Sequence, residues 1–192
     1  MTARVVSYIL SDKERFKSRF VLQCAPLLKG VKRSNAVFIE AGDVEKLSGI
    51  LDGTAISYRI LREEYGRCFV LFYRSFALEQ YLNEPEVLEF LQAFGYEKGS
   101  LEKMLDRLSG KMQTYTACKE TFPHELGVFL DYPLSDVKGF LAGRGRGELL
   151  SGYWKVYEDA EKAELLFRTY DWTKVSAVNE WFMGKTIEEI AR

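Results

Sequence analysis

The sequence has little of what marks several common protein classes. Its 192 residues include three cysteines and a single histidine, and 27 Lys and Arg nearly balance 28 Asp and Glu, for a net charge of -1. One histidine and no Cys-x-x-Cys pair argue against a metal site, and an odd number of widely spaced cysteines argues against a disulfide framework. The balanced charge excludes a broad basic surface for general nucleic-acid binding.

Long hydrophobic runs are also missing. Lys or Arg interrupts every apolar segment, so none approaches the roughly 18 to 20 apolar residues that a membrane span requires. The apolar residues 5–10 are followed by Ser11-Asp12-Lys13-Glu14 and not by a small-residue cleavage site, which predicts no secretory signal. We therefore expect a cytoplasmic protein without a membrane partner.

Apolar residues are abundant enough for a folded core. They make up 47% of the chain, and aromatic residues make up 14%, which excludes disorder. Residues 55–61 and 68–73 are rich in strand-forming types and are separated by a short turn, which predicts an antiparallel hairpin. Residues 36–40 and 153–157 predict further strands, and most other segments have helical periodicity. The sequence thus predicts an α+β fold in which a small, mostly antiparallel sheet of about three to four strands packs with a majority of helices, in a single domain over residues 1–192.

Capping and proline signals predict the ends of several helices. Ser11 and Glu14 form a capping box for a first helix from about residue 12, which Pro26 is expected to kink or end. Pro123 predicts a short helix through Leu130. Thr186 begins a second capping box at the end of the chain.

His124 and Glu125 are the first candidate catalytic residues. If Pro123 begins a helix, the two residues lie in its first turn, where the helix dipole favours the Glu125 carboxylate and the neutral form of His124. A neutral histidine beside a carboxylate can act as a general base. The alternative is structural, with Glu125 as a helix-terminal charge and His124 as a hydrogen-bonding residue, because no nucleophile is adjacent.

Cys24 is the third candidate catalytic residue. Lys29, Lys32 and Arg33 follow it closely, and nearby positive charge favours a thiolate nucleophile or a redox thiol. The alternative is a core thiol, since Cys24 continues the apolar face of the first helix. The other two cysteines are expected to be core thiols.

A further set of residues is suited to binding an anion. An arginine at the end of a strand offers a planar fork for a carboxylate or phosphate, and arginines between glycines in residues 143–147 can cradle a phosphate, although the spacing matches neither the P-loop nor the dinucleotide fingerprint. Internal ion pairs and a solvated loop are the alternatives. The candidate ligand-binding residues are Lys32, Tyr73, Arg74, Arg144, Arg146 and Lys155.

Several short motifs of the sequence resemble those of a known protein family. They are Cys-Ala-Pro at residues 24–26, Phe-Tyr-Arg at 72–74, Phe-Pro-His-Glu-Leu-Gly-Val-Phe-Leu at 122–130 and Tyr-Pro-Leu at 132–134. In order and spacing the chain resembles the bacterial family known as domain of unknown function 3793 over nearly its whole length. The resemblance implies a cytosolic protein of mostly anaerobic Gram-positive bacteria, and it implies no known reaction.

The chain departs from that family at three positions. Gln23 stands where family members commonly have a histidine before the cysteine, so a shared His-Cys pair is not expected here. Asp131 stands where a glycine usually precedes Tyr-Pro, and Glu158 stands where a glycine commonly follows the Lys-Val-Tyr string.

The leading functional hypothesis is binding of an anionic or phosphate-bearing small molecule in a cleft between the sheet and the His124 helix. Lys32, Arg74 and Arg144 would supply charge, and His124 with Glu125 would act as acid and base if the protein is an enzyme, which the sequence leaves open. This hypothesis requires His124, Arg74 and Lys32 to converge on one pocket. The alternatives are a non-catalytic interaction or regulatory module and, third, a redox or iron-linked accessory protein that uses Cys24. The sequence identifies no cofactor and leaves a homo-oligomer open.

Overall fold

The structure is a computed structural model that describes residues 15–118 and 121–192. The capping box of Ser11 and Glu14, the predicted start of the first helix and the segment used to predict the absence of a secretory signal lie outside the described residues.

The elements follow one another in an α+β order with a helical majority, which confirms the predicted fold class. They are α1 (Arg15–Leu28), β1 (Ser34–Glu40), a 3-10 helix (Ala41–Lys46), α2 (Leu47–Leu51), β2 (Ser57–Glu64), β3 (Arg67–Tyr73), α3 (Ser75–Leu82), α4 (Pro85–Gln92), α5 (Leu101–Cys118), α6 (Leu126–Phe129), α7 (Leu134–Gly143), β4 (Leu150–Ser151), β5 (Lys155–Val156), α8 (Ala160–Phe182) and α9 (Ile187–Ile190).

The main sheet is antiparallel, with the strand order β1-β3-β2. The predicted hairpin is confirmed as β2 and β3. Its turn consists of Tyr65 and Gly66, both with positive φ (50° and 71°). Two consecutive residues in this conformation form the tight turn whose twist matches that of the flanking strands.

The central strand β3 is buried on both faces, so the sheet forms the middle of three layers. Its residues Cys68, Val70 and Phe72 belong to a core with α1, α2, α9 and the second half of α8. Leu71 and Tyr73 point to the opposite face, where α3 to α7 supply the second core. Alternation of side chains along a strand allows one strand to serve two cores.

A third apolar cluster joins the β4–β5 pair to the first half of α8. It contains Trp154, Val156, Phe167 and Tyr170. The strand predicted at residues 153–157 is shorter than expected, because the Asp136 carboxylate accepts the backbone N–H groups of residues 157 and 158 and thereby ends the ladder.

One predicted helix start is wrong, since the short helix after Pro123 begins at Leu126 and not at the proline. Helix α1 does not end at Pro26 but continues to Leu28, because a proline in the last turn removes only one N–H donor near the end of the helix. The capping box of Thr186 is confirmed, with Glu189 as its second member.

In the part of the chain that the structure describes, no helix is long and apolar enough to cross a membrane.

Candidate functional site

A cavity of about 330 Å³ lies between the sheet, α6, α7 and β5. We call it the aromatic cavity. Its volume falls in the range of small-molecule sites, which bury most of a ligand against apolar and aromatic side chains. Its apolar walls are formed chiefly by Phe69, Phe122, Leu130, Val137, Phe140 and Trp154.

His124 is a polar residue of this wall whose side chain has no hydrogen-bond partner among the described residues. Its ring lies between those of Phe122 and Phe140, with centroids 5.2 and 5.0 Å away. No described residue hydrogen bonds to the imidazole, so its nitrogens are available to a ligand. His124 precedes α6 and lies in a turn, not in the first turn of a helix as predicted.

Lys155 is the one member of the predicted anion-binding set that lines the aromatic cavity. Its Nζ donates to the carbonyl of Gly145 at 2.7 Å and forms an ion pair with Glu148 Oε1 at 3.0 Å. The ammonium is therefore held at the cavity by two acceptors.

Asp136 also lines the cavity, but its carboxylate accepts hydrogen bonds from other parts of the protein. Trp154 Nε1 donates to Oδ2 at 2.6 Å, and the backbone N–H groups of Tyr157 and Glu158 donate to Oδ1 at 2.7 and 3.3 Å. These three donors tie α7 to β5 and fix the indole in the cavity wall.

Glu125 does not form an acid–base pair with His124. The residue is 1% exposed, and its carboxylate accepts hydrogen bonds from Lys111 Nζ and, at 3.3 Å, from the hydroxyl of Tyr96. Burial and the neighbouring Glu125 carboxylate raise the pKa of Tyr96. The carboxylate is thus bound in the core beside α5, while the His124 ring lies between those of Phe122 and Phe140.

A second, more polar cavity of about 490 Å³ lies on the other side of His124. Arg107, Lys111 and Glu125 line it, and His124 and Phe122 line both cavities. The two side chains therefore form a wall between an apolar space and a space with two cationic groups.

Arg74 and Tyr73 do not face either of these cavities. Arg74 Nε donates to the carbonyl of Leu27 at 3.1 Å, and Nη2 donates to those of Leu28 at 2.8 Å and Ala191 at 3.2 Å. The guanidinium thus caps the C-terminal ends of α1 and α9. Tyr73 is buried in the core formed with α3 to α7.

The structure does not bring His124, Arg74 and Lys32 together. Neither Lys32 nor Arg74 lines the aromatic cavity. Lys32 is buried between the rings of Tyr132 and Tyr170 instead. The glycine-rich loop is exposed, and Arg144 and Arg146 do not line the aromatic cavity either.

Cys24 is fully buried in the core beneath the sheet. The Asn35 amide approaches its Sγ at 3.8 Å, and burial raises the pKa of the thiol to about 12. A buried thiol that stays protonated at neutral pH favours the core role over the redox role. No group of three or more potential metal ligands occurs among residues 15–118 and 121–192.

Two exposed apolar residues bear on the interaction hypothesis. Leu165 and Trp172 lie two turns apart on α8 and are exposed to solvent. Nothing in the described chain covers them, and the interaction hypothesis stays a prediction.

Sequence reasoning missed Phe140, Asp136 and Lys111. Asp136 has a partial local signal, since the helix dipole favours an acid in the first turn of a helix. Lys111 has none, because its contact with Glu125 joins residues on separate elements. Phe140 reads from the sequence as an ordinary apolar position in α7.

The sequence model of one protein family, described as Protein of unknown function (DUF3793), matches residues 20–191 of the chain. No curated protein and no solved structure matches the chain.

Proposed function

The chain belongs to the DUF3793 family, and we propose that it binds a small molecule with a planar apolar body and one anionic group in the aromatic cavity. The observation that carries this proposal is a ligand-sized cavity with apolar walls and one imidazole without a protein hydrogen-bond partner among the described residues. A few placed polar groups in an apolar pocket are what orient a small ligand.

The walls favour a planar apolar body. Phe122, Phe140 and Trp154 line the cavity, and contacts between aromatic rings contribute about 0.5 to 1.5 kcal/mol each beyond area burial. Aromatic walls that are already packed against each other need little reorganisation when a ligand enters. The apolar body would thus supply most of the affinity.

The polar groups favour an anion at one end of the ligand. His124 offers an N–H donor, and Lys155 offers an ammonium that already shares its charge with Glu148. Charge-assisted hydrogen bonds to a carboxylate or phosphate are stronger than neutral ones. The Asp136 carboxylate is satisfied by its three donors and offers no free acceptor.

The proposed role is binding, and no acid–base step is assigned to His124. A general base needs a proton-accepting nitrogen that a second group orients. Glu125 makes no hydrogen bond to the imidazole, and its Oε1 accepts from Lys111 and Tyr96 instead.

The proposal is tested with 2-naphthoate, its neutral analogue 2-naphthalenemethanol and inorganic phosphate. We expect 2-naphthoate to raise the thermal midpoint and to quench tryptophan fluorescence, because Trp154 lies in the cavity wall. The neutral analogue should bind more weakly, and phosphate alone should not shift the midpoint.

Three variants locate the binding. Leu130→Trp fills the cavity and should abolish the shift with 2-naphthoate, whereas Leu149→Trp adds the same side chain at a position that is 61% exposed and should leave it unchanged. His124→Phe should remove the preference for the anion over the neutral analogue. Equal binding to wild type and Leu130→Trp, or no binding of 2-naphthoate to wild type, overturns the proposal.

A further inference from the structure

The cavity of about 490 Å³ on the other side of His124 has a cationic lining. We call it the polar cavity. Among the described residues, its lining includes the cations Arg107 and Lys111 and one carboxylate, that of Glu125. With His124 counted as neutral, these groups leave one net positive charge. Thr114, which is exposed on α5, adds a hydroxyl group to the lining. The cavity is therefore suited to a small anion.

Arg107 is held in place at this cavity by its surroundings. Its Nη2 donates to the carbonyl of Phe94 at 3.2 Å, and its Cζ lies 5.6 Å from the ring centroid of Tyr96. Gly95, between these two residues, has a φ of 81°, and a Cβ at this position would collide with Nη2. A glycine here thus leaves room for the guanidinium. These contacts orient the group without neutralising its charge.

Most of the hydrogen-bonding capacity of Arg107 remains unused. A guanidinium has five N–H donors. In the part of the chain that the structure describes, its one hydrogen-bond acceptor is the carbonyl of Phe94, and no carboxylate forms an ion pair with it. The planar fork of an arginine binds a carboxylate through two parallel hydrogen bonds. Arg107 is therefore the group that a ligand anion would contact first.

Lys111 compensates the carboxylate of the cavity. It lies one turn after Arg107 on α5, so both side chains project from the same face of the helix. Its Nζ lies 5.1 Å from the ring centroid of Tyr96 and forms an ion pair with the buried Glu125. This pair reduces the repulsion between Glu125 and an incoming anion. The uncompensated charge of the cavity is then that of Arg107.

The charge and the hydroxyl group of the lining limit the class of anion. One net positive charge matches a carboxylate, whereas a phosphate group carries a charge of about -1.5 to -2 at pH 7 and would leave excess negative charge beside Glu125. The Thr114 hydroxyl donates to the carbonyl of Gly110 at 2.9 Å, and its oxygen can still accept a hydrogen bond. The imidazole of His124 can donate one hydrogen bond and accept another. These groups favour a ligand that carries hydroxyl groups beside its carboxylate.

We propose that the polar cavity is a binding site for a small hydroxycarboxylate. The carboxylate binds the guanidinium of Arg107, and the hydroxyl groups of the ligand bind Thr114 and His124. The binding is reversible, and no covalent bond forms with the protein.

The site is separate from the aromatic cavity, and either proposal stands if the other fails. Arg107 and Lys111 do not line the aromatic cavity, and Trp154 and Lys155 do not line the polar cavity. His124 lines both. Variants that affect only one cavity therefore distinguish the two sites.

The test is calorimetric titration of the full chain at pH 7.5 with two hydroxycarboxylates, glycerate and gluconate. Their neutral analogues are glycerol and sorbitol, in which a hydroxymethyl group replaces the carboxylate. We expect the acids to bind, and the neutral analogues to bind at least about tenfold more weakly, because they lose the charge-assisted hydrogen bonds to Arg107. Acetate, which has the carboxylate without hydroxyl groups, should also bind more weakly than either acid.

Three variants locate the site. Arg107→Gln should lower the affinity for the acids at least about tenfold. Lys103→Gln removes an exposed cation one turn earlier on α5 that does not line the polar cavity, and it should leave the affinity unchanged. Leu130→Trp, which fills the aromatic cavity, should also bind the acids like wild type, while Arg107→Gln should still bind 2-naphthoate.

Three results would each overturn the proposal. They are the absence of binding of both acids to the wild-type chain, equal binding of the acids and their neutral analogues, and an unchanged affinity of Arg107→Gln for the acids. The first two comparisons use the wild-type chain, so they do not depend on the folding of any variant.

Discussion

Asp131 holds a backbone conformation that its residue type does not prefer. Its φ is 62°, in the left-handed region, which Asp and Asn tolerate better than other side chains with a Cβ. Its carboxylate is engaged twice by Arg33, through the backbone N–H and the guanidinium. A glycine would adopt this φ without strain, whereas the contact with Arg33 supports the aspartate here.

Replacement of Asp131 separates the effect of its contacts with Arg33 from the effect of its left-handed backbone conformation. Asp131→Ala loses the ion pair and places an alanine in the left-handed region, and we expect a loss of about 2 to 4 kcal/mol in the free energy of unfolding. Asp131→Asn keeps an acceptor and tolerates the backbone, so it should lose about half as much. Urea unfolding at pH 7 measures both. An Ala variant as stable as the Asn variant contradicts the backbone argument.

Lys32 gives a prediction whose size depends on pH. Its pKa is lowered from 10.5 to about 8 in the folded state, which corresponds to about 3 kcal/mol. Below pH 8 the side chain is charged in both states, and the folded protein carries the cost of burying it. Between about pH 8 and 10.5 the unfolded chain binds more protons, so the free energy of unfolding rises with pH.

Lys32→Met should therefore be more stable than wild type at pH 7, by up to about 2 kcal/mol after the lost contacts with the rings are counted. The advantage should shrink as the pH approaches 10.5. Urea unfolding at pH 7 and pH 10 provides the comparison, with the exposed Lys98→Met as control. A Met variant that is less stable by the same amount at both pH values contradicts the argument.

The sequence predicts which residue types the candidate site contains, but it does not predict where their side chains point. His124 and Glu125 are adjacent in the sequence, yet one ring lies against Phe122 and Phe140 and the other side chain is bound to Lys111. Which way a side chain in a turn points depends on the elements packed around it. No local pattern carries that information, and the same holds for Arg74, whose partners are backbone carbonyls far along the chain.

At the scale of elements, α7 and β5 are joined by a close approach at a glycine. A Cβ on Gly139 would lie 2.4 Å from the Cβ of Tyr157, whereas a Cβ on Gly143 would lie 3.8 Å from the Tyr157 ring. Both glycines are in α7. Substituting alanine at each of the two glycines tests whether the close packing of residue 157 on α7 contributes to the stability of the protein.

Gly139→Ala should lower the free energy of unfolding by about 1 to 3 kcal/mol, because the clash with Tyr157 outweighs the gain of about 1 kcal/mol in helix propensity. Gly143→Ala is the matched control and should be neutral or slightly stabilising. Thermal unfolding followed by circular dichroism measures both. Equal effects of the two substitutions contradict the packing argument.

Elements with a strong local signal were predicted well. The hairpin of β2 and β3 follows from two β-rich segments and a short turn, and α5 follows from the helical spacing that begins near Ser100. The helix start after Pro123 was predicted less well, since Pro123 precedes a turn and the helix begins only at Leu126. A proline at this position is compatible with both a turn and a first helical residue, and tertiary contacts decide between them.

At the scale of the molecule, both ends of the described chain pack on the same face of the sheet. Helices α1 and α8 lie against each other, and Lys29 Nζ reaches Glu180 Oε1 at 2.5 Å across 151 positions of the sequence. Lys185 Nζ adds a second ion pair to Glu180 Oε2 at 2.9 Å. Arg74 joins α1 to the residue after α9. The layer is therefore closed by a few long-range polar contacts in addition to its apolar core.

A substitution of Glu180 tests whether these polar contacts stabilise the packing of α1 on α8. Hydrogen bonds from Lys29 and Lys185 hold its pKa at about 2, below the ordinary 4.5, so its contribution to stability is present above about pH 4.5 and is lost as the pH falls toward 2. Its side chain is 19% exposed, and we expect Glu180→Gln to lose about 1 to 2 kcal/mol at pH 7 and little at pH 2.5. Glu164→Gln breaks the exposed pair with Arg168 on the same helix and should change stability by less than about 0.5 kcal/mol. Urea unfolding at both pH values makes the comparison, and equal losses for the two variants at pH 7 would mean that the apolar core alone holds α1 and α8 together.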